Sequence, residues 1–223
     1  MAKASAGRPA LDGNAVRTQR TRERILAVSL DLFNTRGEAH VTTGMIADEL
    51  EMSPGNLYYH FRNKDQIVER LFERFEERIS IAPPEAAADA GAIEDLWLYL
   101  HLMFEAIWDY RFLYRNLDDI VGRNRRLREH FNRIVEAKLA AVEGLCRSLA
   151  RAGLLTATPS EIRALALNVL VVATYWLNFQ AVRGGGDPGD SGNGAFQVMS
   201  LVAPYLAGEA RRHFERLGRE YLQ

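Results

Sequence analysis

Residues 41–68 read VTTGMIADELEMSPGNLYYHFRNKDQIV, and three helix starts are written into them. Thr42 or Thr43 supplies an N-cap for Met45, Ile46, Ala47 and Leu50, a helix of only about two turns. Ser53 caps the next helix, with Pro54 at its first position, where a missing N–H costs nothing. Asn63-Lys64-Asp65 then breaks and restarts the chain. Two short helices joined by a tight turn make a helix-turn-helix pattern.

Working outward, apolar positions Ile25, Leu26, Leu30, Leu32 and Phe33 predict a helix from about Thr18 to Arg36, stopped by Gly37. Downstream, Ile67, Val68, Leu71, Phe72, Phe75 and Ile79 form the inner face of a fourth helix that Pro83-Pro84 ends. Ile93, Leu96, Trp97, Leu100, Phe104 and Ile107 mark a buried helix, and Phe112 to Val121 reads as one short helix. A long helix carries Leu127, Phe131, Ile134, Leu139, Leu145, Cys146 and Leu149, and another runs from Pro159 to Arg183. GGGDPGDSGNG, residues 184–194, predicts a loop, and a last helical segment covers Ala195 to about Leu206. With no strand signal, the fold class is all-α: a flexible basic arm over 1–17, a three-helix helix-turn-helix domain over 18–64, and a larger helical domain over 65–223, about nine helices in all.

A chain of 223 residues with 48% hydrophobic and 26% charged residues buries roughly 70% of its unfolded surface and needs no disulfide staple. Its single cysteine, Cys146, and an N-terminus without a signal-like apolar run point to a reducing cytoplasm. The apolar run Leu165–Phe179 falls short of the roughly 20 residues that span a bilayer, so no membrane partner is expected. Net charge is near zero, but residues 1–24 carry Lys3, Arg8, Arg17, Arg20, Arg22 and Arg24 against Asp12 and Glu23, an electrostatic footprint suited to nucleic acid. An acidic band over 73–109 faces a basic band over 121–151, which assigns the two to different helices of the body. The five histidines have no metal-ligand spacing and there is no phosphate loop, so neither catalysis, a metal nor a cofactor is expected.

The stretch 41–68 resembles the DNA-binding signature of the TetR/AcrR family of regulators. The resemblance is carried by the first short helix, by Ser53-x-Gly55-x-Leu57-Tyr58-x-His60-Phe61, and by Lys64-Asp65 in register with them. FLYRNLDDIVGRNRRLREHF and the PYL at Pro204 are similar to one branch of the family. Gly44 departs from it, standing where many members place a residue long enough to reach a base.

On its own chemistry the head also suits DNA. A major groove about 12 Å wide admits one α-helix. Leu57 and Phe61 turn inward, leaving Asn56, Tyr59 and His60 as candidates for base or near-base contacts, while the small Pro54 and Gly55 let the backbone approach. Thr43 at a helix N-terminus, together with Thr42, Ser53, Tyr58 and Lys64, suits phosphates, and Arg17, Arg20 and Arg22 add arm contacts.

The resemblance implies a small-molecule cavity in the larger domain, with Trp97, Met103, Phe104, Trp108, Phe131, Tyr175 and Asn178 as expected lining for a hydrophobic or amphipathic effector. The arginines from Arg123 to Arg128 raise the idea of an acyl-CoA. It also implies a homodimer through helices 160–183 and 195–206, with Val169, Val172, Trp176, Phe196, Met199, Leu201 and Val202 available to face a partner or to close the chain's own core. The function these features imply is a one-component transcriptional regulator that binds double-stranded DNA, a repressor released from a palindromic operator by a small effector, fatty-acyl or otherwise hydrophobic. The alternative is a helical ligand-binding or interaction protein that does not read an operator.

Overall fold

The computed structural model describes residues 13–80, 91–184 and 191–222. Among the described residues there are eleven α-helices and no strand beyond an isolated bridge between Leu155 and Leu206. The chain divides into two compact units, Met1–Leu71 and Phe72–Gln223, so the division falls inside the fourth helix and not at its start.

The first unit contains α1 (Gly13–Arg36), α2 (Thr43–Glu49), α3 (Pro54–His60) and the first half of α4 (Lys64–Ile79). Gly37 stops α1 because its φ of 82° lies in the left-handed region that glycine alone enters freely. Ile25, Leu26 and Phe33 of α1 are fully buried, as are Ile46, Ala47, Leu57 and Ile67. Thr42 Oγ1 accepts from the Met45 N–H at 3.2 Å and Ser53 Oγ from the Asn56 N–H at 3.2 Å, so both expected caps close their helices. The turn between them passes through Glu51 at φ 53°, which costs roughly 1 kcal/mol for a residue with a Cβ. Two backbone bonds hold that turn, Glu51 N–H to Asp48 and Met52 N–H to Ala47, each 3.0 Å. Asn63 Oδ1 accepts from the Gln66 N–H while Gln66 Oε1 accepts from the Arg62 N–H, both at 2.9 Å, which starts α4.

The second unit adds α5 (Gly91–Asp109), α6 (Arg111–Arg115), α7 (Leu117–Arg123), α8 (Arg125–Arg151), α9 (Pro159–Val182), α10 (Ser191–Val202) and α11 (Gly208–Gly218). Helix α9 packs on α8, α10 and α6, and α10 packs on α5 and α11. Thr158 and Glu161 form a reciprocal capping box at the start of α9, with Pro159 at its first position. The acidic band meets the basic one inside this unit: Glu73 lies 3.3 Å from Arg126 and Glu76 lies 2.9 Å from His130.

Several boundaries differ from the sequence expectation. Gly13–Arg17 belong to α1, while the rest of the expected arm, like Pro83-Pro84, lies outside the described residues. Asn116 splits the expected helix over 112–121 into α6 and α7. Residues 185–190 of the glycine-rich stretch are likewise outside the description, but Ser191–Gly194 are helical. Those glycines serve close approach: a Cβ on Gly194 would sit 2.6 Å from the Phe104 ring and 2.9 Å from Trp176, and one on Gly192 would sit 2.9 Å from Tyr221. Helix α11 was not anticipated. It is rich in arginine and glutamate, yet Ala210, Phe214 and Gly218 at every fourth position are buried, and burying Phe214 contributes about 2–3 kcal/mol.

Candidate nucleic-acid interface and effector cavity

In the first unit, α3 presents one solvent face. Leu57 is buried at its centre and Phe61 closes its end, while Pro54, Gly55, Asn56, Tyr58 and Tyr59 are exposed. Tyr59, 76% exposed, is the most outlying aromatic of the unit. A Cβ on Gly55 would meet nothing within 4 Å, so this face is open to whatever docks on it. The Thr43 and Tyr58 hydroxyls lie 3.0 Å apart, tying the N-terminus of α2 to α3. Thr43 and Tyr58 thus pair across α2 and α3, and Asn56 and Tyr59 stand exposed on α3. Arg17 and Arg20 are exposed on α1, Thr42 and Ser53 are helix caps, and the half-buried Gly44 has room for a side chain, its Cβ position lying 3.6 Å from Thr42 Oγ1.

Three residues expected at the DNA surface also make contacts within the fold. Arg22 donates to the His60 carbonyl at 3.0 Å and lies over the Phe61 ring at 4.5 Å. His60 turns its ring inward: Nδ1 is buried without a hydrogen-bond partner, and burial, then the Arg22 charge, lowers its pKa. Lys64 donates to the Glu38 carbonyl at 2.8 Å and lies 3.0 Å from the Glu38 carboxylate, which is fully buried. Glu38, a glutamate just after a helix-stopping glycine, carries no local sign of burial in the sequence.

In the second unit, Leu96, Tyr99, Leu100, Val142, Leu145, Cys146, Leu149, Val169, Val198 and Val202 surround a small apolar gap of about 20 Å³ between α5, α8, α9 and α10, room for about one water. Burial pushes the Cys146 thiol up to about 11 and the Tyr99 phenol up to about 12, so both stay protonated there. None of the residues expected to line an effector site lines this cavity. Trp97 stacks on His101 at 5.3 Å, Phe104 fills the space beside Gly194, and Trp108 lies under the Arg111 guanidinium at 4.9 Å. Phe131 packs edge-on to Tyr114, Met103 is half-buried and Tyr175 is exposed. Asn178 has a protein partner, donating to the Tyr114 carbonyl at 3.2 Å. The arginine run is also engaged: Arg123 with Asp119, Arg125 with Glu129, Arg126 with Glu73, and Arg128 with the carbonyls of Val121 and Gly122.

A model described as "Bacterial transcriptional repressor" matches residues 70–214, and one described as "Bacterial regulatory proteins, tetR family" matches residues 25–71. The chain belongs to the TetR family. A TetR-family transcriptional regulator from Marinobacter aquaeolei VT8 is 36% identical, with a TM-score of 0.77 over 90% of this chain and 98% of that one. The regulator AcrR of Shigella flexneri is 34% identical over 61 residues, 27% of this chain and 28% of its own. The SmeT–triclosan complex shares the fold at 22% identity, with a TM-score of 0.54 over 86% of this chain and 94% of that one. The chain spans about a third of the length of the curated relatives it matches first.

TetR-family regulators bind DNA and small-molecule ligands and form dimers. Of the residues expected at a dimer interface, Val169, Met199 and Val202 are buried within the chain's own core. Val172, Trp176, Phe196 and Leu201 are partly covered. The exposed apolar face of α9 is instead Leu167, Val171, Tyr175, Phe179 and Val182, at successive helical turns. This 24-residue helix is long and apolar enough to cross a membrane by length and composition, contrary to the sequence estimate, which counted only its central run. Its other side is packed against α8, α10 and α6.

Proposed function

We propose that this TetR-family regulator is a homodimeric repressor that leaves a palindromic operator when a hydrophobic or amphipathic effector enters its second unit. The observation that carries the reading is the α3 face, where Asn56 and Tyr59 project outward beside the phosphate-suited Thr43–Tyr58 pair while Leu57 and Phe61 anchor the helix from below. Base edges are met by Asn56 and Tyr59, a thymine methyl by Pro54 and Gly55, and phosphates by Thr43, Tyr58, Arg17 and Arg20.

The α9 stripe supports a second copy as partner. Its apolar residues lie along one side of the helix, and a partner helix covers such a stripe where lipid would require an apolar circumference. Two copies place their recognition helices about 34 Å apart, one turn of DNA. The fold shared with a protein captured with triclosan supports effector binding. In our account the effector favours a spacing of the two heads that does not fit successive grooves, with α4 as the connecting lever and no catalytic step involved.

Selection of genomic fragments by the purified protein, followed by footprinting, tests this reading. The expected product is a set of fragments sharing an approximate palindrome with half-sites one turn apart. Recovery of fragments without a shared sequence would instead mean a ligand-binding protein that does not read an operator.

A further inference from the structure

A cleft of about 350 Å³ opens between α10 and α11, within the size range of small-molecule sites. Phe196, Met199 and Pro204 line it from one side, Phe214 and Gly218 from the other. At Gly218 a Cβ would stand 3.5 Å from Met199 Cε and 3.7 Å from Phe196 Cδ2, so the missing side chain keeps the space between the two sides open. Phe196 and Met199 are residues expected at a dimer interface, yet the cleft takes nothing from the exposed α9 stripe.

The charged side chains lining the cleft are Arg211, Glu215 and Arg219. Arg211 Nε donates to the Glu215 carboxylate at 2.8 Å, so those two charges offset each other. Arg219, exposed at the start of the 3-10 turn Arg219–Leu222, donates from Nε to the Glu215 carbonyl at 3.4 Å, a long bond to a neutral acceptor. Among the described residues it has no carboxylate within ion-pair distance, and its outer N–H groups remain to donate. The rim therefore offers one unbalanced positive charge beside an apolar bed. The two phenylalanine rings and the Met199 sulfur favour a flat aromatic body, and a guanidinium plane both stacks on such a ring and pairs with a carboxylate.

We propose that the cleft between α10 and α11 is a binding site for aromatic carboxylates, the ring system lying against Phe196 and Met199 in the space left by Gly218 and the carboxylate paired with Arg219. This goes beyond the regulator reading and holds whether or not α3 reads DNA.

The test is isothermal titration of the full chain with naphthoate, naphthylmethanol and naphthylmethylammonium at low ionic strength, where charges at a rim are least screened. It is repeated on Arg219→Gln, Arg219→Glu and Gly218→Leu. Arg183→Gln is the control, because that guanidinium lies over the Phe179 ring at 5.7 Å on α9, outside the cleft. Circular dichroism first establishes that each variant is helical and unfolds cooperatively. The wild type is expected to bind naphthoate roughly fivefold more tightly than the alcohol and at least about tenfold more tightly than the amine. Arg219→Gln is expected to erase the preference over the alcohol by weakening naphthoate alone, and Arg219→Glu to favour the amine. Gly218→Leu is expected to weaken all three by filling the space, and Arg183→Gln to change nothing. No naphthoate binding at millimolar concentration, equal affinity for acid and amine, an unchanged acid preference in Arg219→Gln, or an equal loss in Arg183→Gln would each overturn the proposal. So would an affinity that falls as protein concentration rises through the range of self-association, since the cleft would then be covered by a second copy.

Discussion

The hydroxyls of Thr43 and Tyr58 lie 3.0 Å apart, one at the first position of α2 and the other on α3, so the two short helices of the head are tied at the surface proposed to meet DNA. Either oxygen can donate in the free protein, which leaves the other with a proton for a phosphate. Removing one hydroxyl without removing the ring, Tyr58→Phe, is expected to cost about 1 kcal/mol in DNA affinity, roughly fivefold, with little change in melting temperature. Anisotropy titration beside a thermal melt checks both halves of that expectation.

Lys64 behaves differently from Tyr58, although the family signature contains both. Its ammonium meets the fully buried Glu38 carboxylate at 3.0 Å, so Lys64→Met removes an ion pair to a buried carboxylate. A destabilisation of about 3 kcal/mol is expected, measured by urea unfolding, and Glu38→Gln combined with Lys64→Met is expected to recover part of it. A variant as stable as wild type would return Lys64 to a surface role.

The pH response of the head follows from His60. Its pKa is lowered, chiefly by burial, so below the unfolded value of about 6.5 the unfolded chain takes up a proton that the folded chain resists. Stability is therefore expected to fall as pH drops below that value. Thermal unfolding at pH 7.5 and 5.0 checks it: the loss should be smaller in His60→Gln than in wild type.

Helix α9 allows a clean separation of core from interface. Val171 is 57% exposed and Val169 is 4% exposed, two residues apart on the same helix. Val171→Glu is expected to weaken self-association at least about thirtyfold by sedimentation while the monomer stays folded. Val169→Ala is expected instead to lower stability by about 1–2 kcal/mol through a cavity, leaving association intact.

Local rules made the head legible. Ser53, Pro54, Thr42 and Asn63 are caps or first-turn residues whose role depends on a few neighbours, and their helices start where those residues stand. The direction of His60, Lys64 and Arg22 was not legible, because it depends on Glu38 and on the His60 carbonyl, which the chain brings near only after folding. In the second unit aromatic bulk was a poor guide to the cavity: the large rings stack on one another and fill space, and the gap remains among branched aliphatics. The α9 stripe was legible in spacing, but choosing its outer face required knowing which side α8 and α10 cover. Helix α11 hid behind its charges, since an apolar residue at every fourth position suffices for a helix that covers a core at one edge.

Whether the exposed face of α3 reads DNA is tested by fluorescence anisotropy on the DNA immediately upstream of the coding region, beside a scrambled duplex, at two salt concentrations, for wild type and Tyr59→Ala. Tyr59 is 76% exposed and its ring meets that of His60 edge-on, so its loss is expected to leave the fold intact. The account predicts tight binding that weakens with salt and favours the natural sequence, with Tyr59→Ala losing about 1–3 kcal/mol of that preference. Equal affinity of wild type and Tyr59→Ala for both duplexes at each salt concentration would contradict it.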